Sequence, residues 1–191
     1  MQLQRLLSFA RKAVDEYNNK QVRDDRKIID YFTSISNNDK NDLACEIIIE
    51  LGNKKYWDTK DIEFKNKMTN VFKKQVSDLE LLVPNFKIAS AIIHYDETSP
   101  HMHIVGVPIK IKSKYGQSIQ VGKSSVFTKE SLRKLQDKIR MLCIDSFNKE
   151  YGLYNTLTEK RKGRNRDLLV SQMNNYQEMK EELEKTPKQS K

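Results

Sequence analysis

The chain of 191 residues is poor in histidine, cysteine and tryptophan, with three, two and one of them, and it has no long apolar run. No hydrophobic stretch approaches the ~20 residues that a membrane-spanning helix needs, and the N-terminus lacks the apolar core of a signal peptide. Cys45 and Cys143 each lie in an apolar segment, which favours free thiols in a reducing compartment over a disulfide. We therefore expect a cytoplasmic protein that has no membrane partner.

Negative charge is also in short supply, because 26 Asp and Glu face 35 Lys and Arg, which gives a formal charge of +9. An excess of cations favours a polyanionic partner, since each lysine or arginine that neutralises a phosphate releases condensed counterions. A well-solvated surface is the alternative explanation of the same charge. Hydrophobic residues make up 37% of the chain, which is enough to build the core of one domain.

The first half of the chain is predicted to be mainly helical around one strand. Apolar residues recur at helical spacing in residues 3–17, and a second short helical pattern covers residues 28–32. Residues 43–51 (LACEIIIEL) are rich in β-branched side chains, which predicts a central strand. Residues 58–82 again show helical spacing, which predicts one long helix.

The second half is predicted to contain a hairpin and a long helix. Two apolar runs, KIASAIIHY and HMHIVGVPIK, flank the polar loop DETSP, and a short strand is expected at residues 118–121. Thr128 is a suitable N-cap for a helix that Gly152 ends. The stretch KRKGRNR, residues 160–166, predicts a basic linker before a polar tail. The order of elements indicates an α+β domain with helices packed on one face of an antiparallel sheet.

All three histidines lie within the motif HYDETSPHMH. If His94 ends one strand and His101 begins its antiparallel partner, these two oppose each other across the loop. His103 then lies on the same face, because alternate residues of a strand share a face. Met102 and Ile104 point the other way, into packing. Three imidazoles on one face of a hairpin leave open positions for substrate, as a catalytic metal requires.

The loop of this hairpin adds two carboxylates. Asp96 or Glu97 could orient a histidine by accepting its second ring proton, or could contact the ion itself. A single strand histidine is usually only a hydrogen-bonded polar residue. Three on one face beside two acids favour a divalent metal instead. Imidazole suits zinc, and a phosphodiester substrate suits magnesium or manganese as well.

The motif HYDETSPHMH resembles the H-x-D-E-[ST]-x-P-H-x-H motif of the Mob/Pre family, the relaxases that mobilise small plasmids and are also called plasmid recombination enzymes. The sequence His101-Met102-His103 resembles the signature of the wider HUH endonuclease superfamily. The upstream strand LACEIIIEL and the later segment SSVFTKESLRKLQ also resemble the family, so the likeness spans residues 43–151. It implies a two-layer HUH-endonuclease-like domain, with a central antiparallel sheet and helices on one face.

The resemblance also implies an activity. Family members are metal-dependent relaxases that nick one DNA strand at a plasmid transfer origin by transesterification and remain attached to the 5′ end. By this likeness His94, His101 and His103 would hold Mn²⁺ or Mg²⁺, with zinc as an alternative, and Glu97 would assist catalysis. The metal would neutralise charge at the scissile phosphate. The implied partner is single- and double-stranded DNA at the origin.

The chain departs from the family at its N-terminus. Full-length members begin with a strand and a segment that carries the nucleophile, a histidine in well-known members, and this chain has no histidine before His94. We therefore expect residues 1–155 to form a relaxase domain without that segment, followed by a basic linker and a polar helical or disordered tail at 156–191. A tyrosine could attack phosphorus instead; the candidates are Tyr17, Tyr31, Tyr151 and Tyr154.

Basic residues after the hairpin are candidate phosphate contacts, because Lys and Arg supply most of the affinity for nucleic acid. The residues we expect to bind DNA are Lys110, Lys112, Lys114, Lys123, Arg161 and Arg164.

Three alternative functions are compatible with parts of the sequence. A non-catalytic DNA-binding remnant of a relaxase would explain the missing nucleophile. A rolling-circle replication initiator would need a tyrosine on the helix after the motif, and residues 128–147 contain none. A three-histidine zinc hydrolase acting on small molecules would have no affinity for DNA, and the excess positive charge disfavours it.

Overall fold

The computed structural model describes residues 2–37, 42–97, 99–111 and 116–158, so the predicted basic linker lies outside the described residues. Apart from Thr158, they belong to the compact unit Met1–Leu157. Helices and antiparallel strands are mixed along the chain, which confirms the predicted α+β class. In chain order the elements are α1 (Gln2–Asn18), a 3-10 turn (Asp24–Arg26), α2 (Tyr31–Ser36), β1 (Cys45–Glu50), α3 (Lys54–Trp57), α4 (Ile62–Asn66), α5 (Met68–Leu82), β2 (Phe86–His94), β3 (His101–Ile111), β4 (Ile119–Val121), α6 (Lys123–Val126) and α7 (Lys129–Tyr151).

Strand β3 is the centre of the sheet in the described part of the chain. It pairs antiparallel with β1 on one side and with β2 on the other, and its last residues pair with β4. The prediction that residues 43–51 form a central strand was therefore wrong, because β1 lies at an edge. Its richness in β-branched side chains predicted a central strand, but Ile48 lies on the open face and is exposed.

The predicted hairpin is confirmed as β2 and β3. His94 pairs with His101, and Ile92 pairs with His103. Alternation along β3 places Met102 and Ile104 on the opposite face, where both are buried as predicted. The hairpin therefore separates an apolar face, which packs against helices, from a face that carries imidazoles.

Helices α5 and α7 pack against each other and contribute to the core beneath the sheet. Trp57, the single tryptophan, is fully buried in this core, and its indole N–H donates to the Leu51 carbonyl oxygen at 2.6 Å. Its ring packs edge-on against Phe147 of α7. Burial of one large apolar side chain contributes about 1.5–3 kcal/mol, so this aromatic contact is a main support of the helical layer.

Two helix predictions were wrong in their bounds. Residues 58–82 hold two helices, α4 and α5, which are separated at Lys67, the C-cap of the first and the N-cap of the second. The first of them starts only at Ile62, because Asp61 is an N-cap in extended conformation whose side chain accepts from the Phe64 N–H at 2.7 Å. The helix predicted over residues 28–32 is also displaced, because α2 starts only after its own N-cap, Asp30. Apolar spacing does not detect a cap, which is why both bounds were missed.

The last helix matches its prediction. The Thr128 side chain accepts from the backbone N–H of Ser131 at 3.1 Å, and the two residues form a reciprocal capping box. Gly152 ends the helix with a left-handed conformation (φ 64°) that glycine adopts at little cost. Long α7 is therefore fixed at both ends.

The cysteines are free thiols, as expected, with Cys143 buried and Cys45 half-buried. Burial raises the pKa of the Cys143 thiol to about 12. Among the described residues, no helix is both long and apolar enough to cross a membrane.

The described residues cover the histidine-bearing face of the sheet at one end. Val107 and Ile109 follow the histidines on the same face of β3, and both are buried. Together with Ala10 of α1 and Tyr31 and Phe32 of α2, they help to line a groove of about 470 Å³. The other end of this face, next to the hairpin loop, carries the histidines.

Candidate metal centre

The three histidines lie on the open face of the sheet, in two adjacent rows. His101 is flanked by Glu50 of β1 and His94 of β2, and the next row has His103 at its centre. In that second row His103 lies between Ile48 and Ile92, whose side chains are 55% and 56% exposed. An exposed apolar residue on each side leaves the imidazole open to a ligand from above the sheet.

The imidazole rings converge, as the hairpin geometry predicts. The ring centroids of His94 and His101 lie 5.2 Å apart and the rings are stacked. The His103 centroid is 4.9 Å from that of His94 and 5.0 Å from that of His101, and its ring is tilted against both. The three side chains form one cluster in which His101 is the most buried and His94 the most exposed.

Two carboxylates from the hairpin loop approach this cluster. Three potential ligand atoms, one from each of His94, Glu97 and His101, lie within 4.8 Å of one another. The Glu97 Oε2 atom is 3.8 Å from His101 Nε2, and the Asp96 Oδ1 atom is 3.7 Å from His94 Nδ1. Mixed imidazole and carboxylate donors are a set that divalent transition metals bind, so the residues present fit a metal ion.

Strand β1 supplies contacts that the sequence did not predict. Glu46 Oε1 lies 2.7 Å from His103 Nδ1. The Ser99 hydroxyl donates to the Glu50 carboxylate, and the Ser99 carbonyl oxygen lies 2.9 Å from His101 Nδ1. The available signal in the sequence for these contacts was the even spacing of Glu46 and Glu50, which places two carboxylates on one face of an isoleucine-rich strand. Their partners depend on the pairing of β1 with β3, which the sequence alone does not reveal.

One of the two described basic candidates lies away from the histidines, and the other is held by a carboxylate. Lys110 is seven residues beyond His103 on β3, about 23 Å along the strand, and its even position places it on the opposite face. Lys123 Nζ forms an ion pair with Asp42 Oδ2 at 2.6 Å, and this carboxylate raises the lysine pKa. The other four predicted DNA contacts lie outside the described residues; they are Lys112, Lys114, Arg161 and Arg164.

Several tyrosine hydroxyls are engaged in contacts within the fold. Tyr31 accepts from the Val121 N–H at 2.7 Å, and Tyr151 donates to the Phe64 carbonyl oxygen at 2.6 Å. Burial raises the pKa of both phenols. Tyr95, next to His94 in sequence, shares a 2.6 Å hydrogen bond with Thr69 Oγ1. The hydrogen bonds of these three hydroxyls are therefore made within the fold and not to the imidazole cluster.

Comparison with known proteins gives one family match. The model of the family described as plasmid recombination enzyme, Mob_Pre, matches residues 9–165, which is well over half of the chain. No curated protein sequence matches.

Solved structures with a similar fold come from the MobM relaxase domain (MOBV; Mob_Pre) bound to plasmid pMV158 oriT DNA. Mn-bound crystal structures of this domain at pH 6.8 and at pH 5.5 are two of them. Each is 21% identical to this chain and covers 88% of it, with TM-scores of 0.52 and 0.53 over 72% and 73% of the MobM chain. At this identity the likeness establishes a shared fold.

Proposed function

Because the chain belongs to the Mob_Pre family of plasmid recombination enzymes, we propose that it is a metal-dependent DNA relaxase that cuts one strand at a plasmid transfer origin. The observation that carries this proposal is the convergence of three imidazoles, about 5 Å apart, on the open face of the sheet. The relatives of the same fold were crystallised with transfer-origin DNA, which supports DNA as the partner of this chain too.

His94, His101 and His103 are the proposed metal ligands, with Glu97 close to the ion. Mn²⁺ is the ion we favour, because the donors are imidazole and carboxylate and two MobM structures hold Mn. When bound, such an ion supplies positive charge that offsets the negative charge developing on a scissile phosphate.

The proposed role of the protein's own side chains is to bind and position the phosphodiester. The open sheet face admits a DNA strand, and the exposed Ile48 and Ile92 flank His103 where a nucleotide would lie. Buried Ser99 and Pro100 anchor the chain just before His101, so the ligand histidines sit on a rigid support. In the proposed transesterification, a nucleophile bonds to phosphorus and the bond to the 3′ oxygen breaks.

We propose that residues 1–155 form the relaxase domain and that residues 156–191, which include Arg161 and Arg164, add phosphate contacts as a basic linker and tail. Lys110, Lys112, Lys114 and Lys123 are proposed as further backbone contacts. Since Lys110 lies about 23 Å from His103 along β3, this lysine would hold DNA away from the cut site rather than at it.

The test is nicking of a supercoiled plasmid that carries the origin from the protein's own genetic neighbourhood, with Mn²⁺. We expect relaxed circles and covalent protein–DNA adducts, both abolished by EDTA and by His101→Ala. Met141→Ala, a loss of similar size at an exposed position of α7, is the control and should nick like the wild type. Nicking that survives in His101→Ala would overturn the proposed metal site.

DNA binding without cutting is the second candidate, and a specific observation favours it. All three histidines belong to the cluster, and two of the four candidate tyrosines, Tyr31 and Tyr151, have hydroxyls that are engaged within the fold. This candidate predicts Mn²⁺ binding and origin binding without any covalent adduct. An adduct mapped by mass spectrometry would eliminate it and would also identify the nucleophile.

A further inference from the structure

We propose that strand β1 sets the tautomers of two of the metal-binding histidines, with Glu46 acting directly on His103 and Glu50 acting on His101 through Ser99. Both glutamates are thus positioning residues. The inference rests on the proposed metal site, whose ligands all come from the β2–β3 hairpin and its loop.

Glu46 reaches His103 from the neighbouring strand. Ile48 is directly opposite His103 in the register, and Glu46 lies two residues away on the same face of β1. This diagonal offset lets its Oε1 atom approach His103 Nδ1 to 2.7 Å. Because an ionised carboxylate only accepts, Nδ1 must carry the ring proton. The lone pair is then left on Nε2, which is free to bind an ion.

The second contact uses a relay. Glu50 is directly opposite His101, and its carboxylate accepts from the hydroxyl of Ser99, which is only 4% exposed. The Ser99 carbonyl oxygen in turn accepts from His101 Nδ1 at 2.9 Å. A carbonyl cannot donate, so His101 also carries its proton on Nδ1. The two imidazoles therefore present the same nitrogen, Nε2, as the potential ligand.

A common tautomer matters because a metal ligand must offer its lone pair in the right direction. Outer hydrogen bonds that fix the ring nitrogens of ligand histidines typically change metal affinity 10–100-fold when they are removed. The spacing of four residues between Glu46 and Glu50 keeps both on the open face, with Ile48 between them. One edge strand can in this way orient two ligands without contacting the ion.

The chain has only three imidazoles, so ¹⁵N-histidine NMR of the full-length, metal-free protein reads the tautomers directly. In alkaline buffer, where free imidazole is neutral, we expect the Nδ1–H form for His101 and His103. Glu46→Ala should change the His103 signals alone, and Glu50→Ala should change those of His101 alone. Glu46→Gln retains an acceptor oxygen and should preserve the His103 tautomer.

Calorimetric titration with Mn²⁺ gives the second readout. We expect Glu46→Ala to bind about 10–100-fold more weakly than the wild type, with Glu46→Gln between the two. Glu130→Ala, which removes an exposed carboxylate paired with Lys134 on α7, should leave both the tautomers and the affinity unchanged.

The inference is overturned if Glu46→Ala and Glu50→Ala keep the wild-type tautomers and bind Mn²⁺ with a dissociation constant within twofold of the wild type. A wild-type protein that binds no Mn²⁺ overturns the proposed metal site instead. The tautomers of the metal-free protein still decide whether β1 orients the rings, so the two failures are distinguishable. Glu46→Gln, which leaves the size of this half-exposed side chain nearly unchanged, guards against a variant that fails to fold.

Discussion

Gly106→Ala tests how closely the hairpin that carries the histidines is packed against the core. Gly106 lies on β3, three residues after His103, and pairs with Cys45 on β1 and Ile88 on β2. An added methyl group would lie 2.5 Å from Cζ of Phe86 and 2.9 Å from the backbone oxygen of Lys87. Both distances are shorter than any ordinary contact of a Cβ atom. Glycine is therefore required here for close approach rather than for its backbone freedom.

The cost of the methyl group follows from what would have to move. Phe86 is buried and packs edge-on against Phe127, and the Lys87 oxygen belongs to the neighbouring strand, so neither yields easily. Overpacking of this kind costs about 1–3 kcal/mol. The loss of glycine's extra freedom in the unfolded chain offsets about 0.4–1 kcal/mol. The net destabilisation should be about 1–2 kcal/mol.

Urea unfolding measures this change. With a slope of about 2 kcal/mol per molar, in the middle of the usual range, the midpoint of Gly106→Ala should fall by about 0.5–1 M. Shortening the obstructing ring should relieve part of the clash, so the double variant Phe86→Leu/Gly106→Ala should show a favourable coupling of at least about 0.5 kcal/mol. A single variant as stable as the wild type, or a double variant with additive effects, would refute the close packing argued here.

Three further predictions concern ions and charge. Excess Mn²⁺ should raise the melting temperature of the wild type, by the equivalent of about 2.7 kcal/mol at a hundredfold excess over the dissociation constant, and should leave His101→Ala unaffected in the same thermal scan. Since burial raises the pKa of Cys143 from 9.0 to about 12, its neutral thiol contributes stability that is complete below pH 9 and is lost towards pH 12. The urea midpoint of the wild type should thus fall more steeply over that range than that of Cys143→Val, and parallel curves would contradict this. Arg161→Ala and Arg164→Ala should each lower the magnitude of the slope of log K for DNA binding against log [salt] by about 0.7–0.9. A slope that is unchanged in a fluorescence titration would exclude phosphate contact by that arginine.

The arrangement of the histidines was predictable because it is local. His94 and His101 are separated by a short loop, and strand alternation then places His103 beside them. The same alternation places Lys110 on the opposite face, so its separation from the imidazoles could also have been predicted from its even position and its seven-residue distance from His103 along β3. Short-range geometry was sufficient for both.

The missed features depend on long-range pairing or on single caps. The edge position of β1, and with it the contacts of Glu46 and Glu50, follows from a register with β3 that spans about fifty residues of chain. The start of α4 at Ile62, later than predicted, follows from one side chain, Asp61, which caps the first turn of that helix. Hydrophobic periodicity reports neither of these.

The connectivity of the sheet has a consequence for the order of assembly. Between His94 and His101 the hairpin closes over residues 95–100, whereas β1 reaches β3 across residues 51–100. The entropy of closing the longer loop is greater by about 2 kcal/mol, so we expect the hairpin to form first and β1 to dock later. Folding would then gather the imidazoles early and orient them late, and the docking of one peripheral strand would be the event that makes the cluster competent.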